Sequence, residues 1–322
     1  MPGIVTHALF TQAVLDRLDN PMLNAHRSFV ITGGQGPDFL FYDHTTPQKI
    51  WIPSSLRDYG ILFHHENVNA FYQSALESIR QEKNSAIQDD LIAYVCGHLC
   101  HWALDSSLHP LVYSRVGAYT AKSSARHHRY ESLLDAAMLQ YHKGVTIVDF
   151  LPTVQCFSIE LPVTRAIARI YGPAIETIYG ETIRPSRFVD VLQEWETMQK
   201  RFHDPKNYKK TLLHPMEKIF GLEHLVTGFS IPNEAEDNID VCNLLHTPWP
   251  DPVTGEMREE SMFDLWDVAL ERAIRAIGLF LKAVRKTSQE EAFFHFLGDC
   301  DYDTGMPGSP EMSHFSIVDL SY

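Results

Sequence analysis

The chain has 322 residues, 44% hydrophobic and 21% charged, a balance that supports one large core or two modest ones and excludes a disordered polymer. Its formal net charge of −14 repels phosphate backbones in bulk, so no stable nucleic-acid complex is expected unless bound cations reverse the sign locally. Five cysteines without a CxxC pair, no apolar run near the roughly 20 residues of a transmembrane helix, and no N-terminal stretch built like a signal peptide predict a cytoplasmic protein.

Helical spacing dominates, and no run alternates as a half-buried strand does. The prediction is therefore an all-α multi-helix bundle forming a single domain over 1–322. Predicted helices cover 5–19, stopped before Pro21, then 65–81, 88–107, 124–142, 160–180, 186–203 and 259–287, with a short one at 290–297. Between the first two, "ITGGQGPDFLFY" at 31–42 reads as a sharp turn ahead of Asp38, and its glycines do not match a phosphate-cradling fingerprint. The long acidic stretch at 230–261 reads as either a surface loop or a lid.

Histidine is the unusual residue. Eleven of the 17 lie in the first 142 positions, which predicts a ligand-bearing half at 1–142 and supporting C-terminal helices at 143–322. In "DDLIAYVCGHLCHWALDSSLHPLVY" apolar residues surround the helix axis. His98, His101 and Asp105 share one face at spacings of three and four, and His109 follows just before Pro110, at the predicted helix end. A helix apolar all round is buried, and a buried carboxylate without a partner is so costly that the face requires a cation.

In "ARHHRYESLLDAAM" His127 and Glu131 repeat the spacing of four, with Asp135 on the same face. "FHHENVNAF" puts His64 and His65 at a helix start, "THALF" supplies His7, and Asp38 follows the glycine-rich turn. Nitrogen and oxygen donors without thiolate suit Zn²⁺, and Mn²⁺ or Fe²⁺ are compatible. Phe39, Phe41, Tyr42 and Trp102 flank these residues and either line a substrate pocket or belong to the core. His246 and Trp249, within 230–261, either meet substrate or sit in a surface loop.

Taken in order, "THALF", "GPDF", "HHENVNAF", "HWALDSSLHP" and "HHRYESLLD" resemble the zinc-dependent phospholipase C and single-strand nuclease superfamily, above all its intracellular bacterial phospholipase C-like branch. The resemblance covers residues 1 to about 142, and "HTPWPDPVTGE" followed by "SMFDLWDVALERA" is also similar to that branch. It implies an all-α fold with two or three zinc ions that hydrolyses a small phosphodiester or phospholipid-like substrate, with Asp38 and Asp105 in the catalytic set. One ion would be held by Asp38, His64 (or His65), His101 and Asp105. A second would take His109, His127 (or His128) and Glu131. A third would take His7, Asp105, and the amine and carbonyl of Met1 or Pro2.

Three features depart from the resemblance. "MPGIV" has neither the processed tryptophan of the secreted enzymes nor the acid that recognises choline, and His98 has no counterpart. Two other readings stay open: a metal-containing module that binds a phosphorylated ligand without turnover, and a helical interaction protein with structural histidines.

Overall fold

A computed structural model describes residues 3–46, 48–120, 123–220, 224–233 and 239–320. Among them the chain is all-α: α1 (Ile4–Leu18), α2 (Pro21–Ala25), α3 (Arg27–Gly33), α4 (Ser55–His65), α5 (Val68–Gln81), α6 (Ser85–Val116), α7 (Ser124–Lys143), α8 (Pro152–Gln155), α9 (Leu161–Tyr179), α10 (Pro185–Phe202), α11 (Tyr208–Phe220), α12 (Met262–Arg285) and α13 (Glu290–Leu297). Short 3-10 turns at Asp38–Tyr42 and Thr227–Phe229 join them, and Trp249–Pro250 pairs antiparallel with Met257–Arg258. Among the described residues no helix is long and apolar enough to cross a membrane.

The fold is organised by α6. Its 32 residues open on Asn84, whose side chain accepts from the Ala86 and Ile87 amides, and it is buried on every side from Leu91 to Val116. Such all-round burial is what an all-round apolar sequence requires. Helices α1, α3, α7, α9 and α12 pack around it. Against α3 the approach is so close that a Cβ on Gly97 would overlap the Val30 carbonyl oxygen, which only glycine avoids.

Several sequence-based boundaries are corrected. The predicted helix end at Pro110 is overridden, and α6 runs six residues further. The proline removes one ladder bond at a cost of about 3 kcal/mol. Burying Leu111, Val112 and Val116 contributes about 1.5–3 kcal/mol each, which is larger. The C-terminal tail adds bonds at the same end, from the Ser316 amide to the Ser114 carbonyl (2.7 Å) and from the Val318 amide to the Arg115 carbonyl (2.9 Å).

His64 and His65 end α4 rather than starting the next helix. Ser54 caps α4 by accepting from the Arg57 amide, and Asn67, at φ 60°, breaks the chain before α5. Helices α2, α3, α4, α8 and α11 fall outside the predicted ranges. The stretch 230–261 lies partly outside the described residues, at 234–238. Its remainder from 239 is fastened at points to the core, with 244–248 exposed between them: Trp249 is buried with Nε1 on the Glu260 carbonyl, and Arg115 donates to Asn243 and to the Thr247 carbonyl. That part lines neither of the cavities described below.

Placing a methyl group at position 97 should therefore push α3 off α6. Gly97→Ala is expected to lose about 1–3 kcal/mol of stability, read as a lowered urea midpoint with an unchanged slope. An unchanged midpoint would show that the helices separate freely.

Candidate metal centre

The centre of the structure is the carboxylate of Asp105, fully buried on α6. Helical spacing brings His101 Nε2 to 2.9 Å from its Oδ2 and His109 Nε2 to 3.9 Å from its Oδ1. From α1, His7 Nε2 stands 3.2 Å from Oδ1, and from α4, His64 Nε2 stands 3.9 Å from Oδ2. Neither carboxylate oxygen receives a well-directed hydrogen bond.

Each of three rings is oriented from behind by a backbone carbonyl. His64 Nδ1 donates to Gly60 (2.7 Å), His101 Nδ1 to Gly34 (3.2 Å) and His109 Nδ1 to Tyr302 (2.8 Å). A carbonyl only accepts, so each Nδ1 carries the proton and, in the neutral ring, Nε2 presents a lone pair toward the centre. Lone pairs then face carboxylate oxygens, an arrangement that a cation at their common focus would satisfy. Gly36 is part of the fit: at φ +52° it lies against His101, and any Cβ there would overlap the ring.

The ligand atoms fall into three groups, each within 4.8 Å: His7, His101 and Asp105; Asp38, His64 and His101; His109, His127 and Glu131. Asp38 opens the 3-10 turn, with Oδ1 3.2 Å from His64 Nε2 and 3.5 Å from His101 Nε2. That turn is anchored by Asp43, whose carboxylate takes Arg187 and Ser54 and whose carbonyl takes Arg57. His127 Nε2 stands 2.8 Å from Glu131 Oε1 across one turn of α7. His65 turns aside to Asp303 (3.2 Å), and His128 stacks on Phe229.

Charge states follow from burial and these partners. Burial works to raise Asp105, but attraction to His101, His109 and His7 reverses it and holds the carboxyl well below its ordinary value. Asp38 is lowered against burial in the same way by His101 and His64. Desolvation lowers His101 and pushes His127 well below the ordinary imidazole value, leaving both rings neutral as metal ligands must be. Burial works to lower His64, but the hydrogen bond and charge of Asp38, with the charges of Asp105 and Asp303, together move it up.

Other sequence-predicted residues serve the fold. His98 bridges the hydroxyls of Tyr72 and Tyr171, at 2.9 Å each, in a buried polar network. Asp135 caps α1, accepting from the Val5 and Thr6 amides, and desolvation raises it to about 6. Phe39 packs on Tyr171 and Trp195 in the core. Trp102 is also buried, with Nε1 on the Cys300 carbonyl. His246 is exposed beside the Glu259 carbonyl and borders neither cavity. Met1 and Pro2 lie outside the described residues.

Two cavities meet the centre. A small one of about 70 Å³ touches Asp38, Tyr42 and Glu131. A larger one of about 420 Å³ is bordered by His64 and His127 and walled by Phe41, Ile61, Met198 and Phe229. Tyr42 borders both.

The C-terminal part of the chain also reaches this cluster. Beside Tyr302, Asp303 lies 3.3 Å from His109 Nδ1 and 3.2 Å from His65 Nδ1. Burial opposes its ionisation, yet the hydrogen bond and charge of His109 and the charge of His65 bring it to about 2. The signal was the acid-rich "DCDYDTG" at 299–305, which carries no helical spacing.

A family model described as zinc dependent phospholipase C matches residues 6–181, more than half of the chain. No curated protein and no solved structure matches it. If Asp303 orients His109, then Asp303→Ala should weaken retention of bound zinc about 10–100-fold, measured by competition with a chromogenic chelator. Asp303→Asn, which keeps an acceptor, should recover most of it. Full retention in the alanine variant would leave the orientation to Tyr302 alone.

Proposed function

Because the chain belongs to the zinc-dependent phospholipase C family, we propose that it is a metal-dependent phosphodiester hydrolase. Its substrate is a small phosphodiester or phospholipid-like molecule. The observation that carries this reading is Asp105, a buried carboxylate faced by ring nitrogens and given no well-directed hydrogen bond by the described residues.

Asp38, His64, His101 and Asp105 would hold one ion, His109, His127 and Glu131 a second, and His7 with Asp105 a third. Bound zinc would polarise a phosphoryl oxygen and make water nucleophilic near neutral pH. Asp105 brings the negative charge that keeps neighbouring cations together. Asp38 borders the small cavity and is held ionised, so its carboxylate can accept a hydrogen bond from the attacking water and aim it. The apolar part of the substrate fits the larger cavity.

That cavity has one carboxylate among its described lining residues, Asp303, already engaged by His65 and His109, while Arg57 adds a cation. These charges favour an anionic or neutral headgroup over a quaternary ammonium. The five free cysteines, four of them buried, fit the expected cytoplasmic location.

Asp105→Asn keeps the shape and removes the charge. It should abolish hydrolysis of bis-p-nitrophenyl phosphate and lower zinc content by more than one ion, read by elemental analysis. Glu131→Gln should cost about one ion and leave some activity. Wild-type zinc and activity in Asp105→Asn would overturn the bridging role.

Acidification should strip zinc, because the histidines must be deprotonated to bind it. Retention is expected to be full at pH 7 and lost by about pH 5. Zinc content that does not change across that range would place the metal on other ligands.

A further inference from the structure

Around the larger cavity the protein exposes apolar surface that its own core leaves uncovered. Trp51 is 89% exposed and is flanked by exposed Ile50 and Ile52. On α11, at about 100° per residue, Tyr208, Leu212, Met216, Ile219 and Phe220 fall within an arc of about 120°. All five are exposed, Ile219 to 79%. About 60° beyond the edge of this arc, buried Glu217 accepts from the Val226 and Thr227 amides and so fastens α11 to the turn Thr227–Phe229. Exposed apolar patches of this extent mark interaction sites.

The charges around the stripe identify what covers it. The acids of the segment 203–220 are Asp204 and Glu217. Both are buried and consumed by backbone amides, Asp204 by those of Tyr208 and Lys210. Lys209 and Lys218 are exposed: Lys209 falls within the arc, its ammonium on the Arg201 and His203 carbonyls, and Lys218 lies about 80° outside it. In a chain of net charge −14 this is a local cationic, amphipathic helix. A second copy seated on it would bring like charges together, whereas an anionic lipid surface complements them.

The position is continuous with the cavity. Ile50, next to Trp51, lines it, as does Phe229 of the turn that carries α11.

We propose that Trp51 and the exposed face of α11 form a docking surface for an anionic lipid bilayer, placed so that a lipid passes from the bilayer into the apolar cavity without crossing water. The substrate side of this inference rests on the phosphodiesterase reading; the docking itself does not. The test mixes the full-length, zinc-loaded protein with vesicles of phosphatidylglycerol and phosphatidylcholine, or of phosphatidylcholine alone. Trp102, Trp195, Trp249 and Trp266 are buried, so a blue shift of tryptophan emission reports on Trp51.

The shift and co-sedimentation are expected with the anionic vesicles, declining as salt rises. Trp51→Phe should lose the shift, Leu212→Glu with Ile219→Glu should lose sedimentation, and Lys218→Gln should weaken partition about fivefold. Val154→Glu, an exposed apolar position on α8, should change neither. Hydrolysis of bis-p-nitrophenyl phosphate, read in every variant, should stay at the wild-type rate. Intact hydrolysis with no vesicle binding overturns the docking surface and leaves the proposed function. Vesicle binding through this patch with no hydrolysis of any diester overturns the function and supports the docking surface. Equal partition onto neutral vesicles, or a dimer abolished by the α11 variants without vesicle binding, overturns the lipid assignment.

Discussion

A carboxylate in the middle of an apolar helix is the constraint to which the rest of the structure answers. Asp105 lies where water does not reach, and desolvating an ionised carboxyl is tolerable only if positive charge is brought to it. The surrounding architecture turns imidazole nitrogens from α1, α4 and α6 toward it, converging on one small volume. An apolar replacement at 105 would pack more easily into this core. What the acid contributes is a buried negative charge on which ring nitrogens from three helices converge.

Convergence alone does not make a metal centre, since imidazole rings rotate. Here rotation is restrained by backbone. Gly60, Gly34 and Tyr302 offer carbonyls to the far nitrogens of His64, His101 and His109, so tautomer and direction are set before any ligand arrives. The acceptor for His64 is on its own helix, that for His101 is in the following turn of α3, and that for His109 is in the distant tail. Local and remote segments thus perform the same task, and the close approach at Gly36 completes the seat for His101.

Much of this was legible in the sequence. The all-α class and the cores of α1, α5, α6, α7, α9, α10 and α12 follow from spacing, and the four-residue separations of His101 from Asp105 and His127 from Glu131 are facts of helix geometry. The doublets were ambiguous because adjacent residues on a helix differ by about 100°, and only packing decides that His64 turns inward while His65 turns to Asp303. α4 was missed because its cap, Ser54, follows an apolar and proline-containing stretch that has no helical period. The continuation of α6 through Pro110 was missed because local propensity argues against it and only tertiary burial favours it. His98 shares the face of His101 without a counterpart in the resemblance, and two tyrosines from α5 and α9 hold its ring.

The clasp at Tyr302 bears on how the protein is made. The carbonyl that orients His109 is supplied 193 positions later. While the chain is still being synthesised, the early helices can collect His7, His64 and His101, but the ring of His109 has no orienting partner until nearly all of the sequence has emerged. The orientation of His109 is thereby completed only once Tyr302 has been made, and a chain terminated before it would lack this bond.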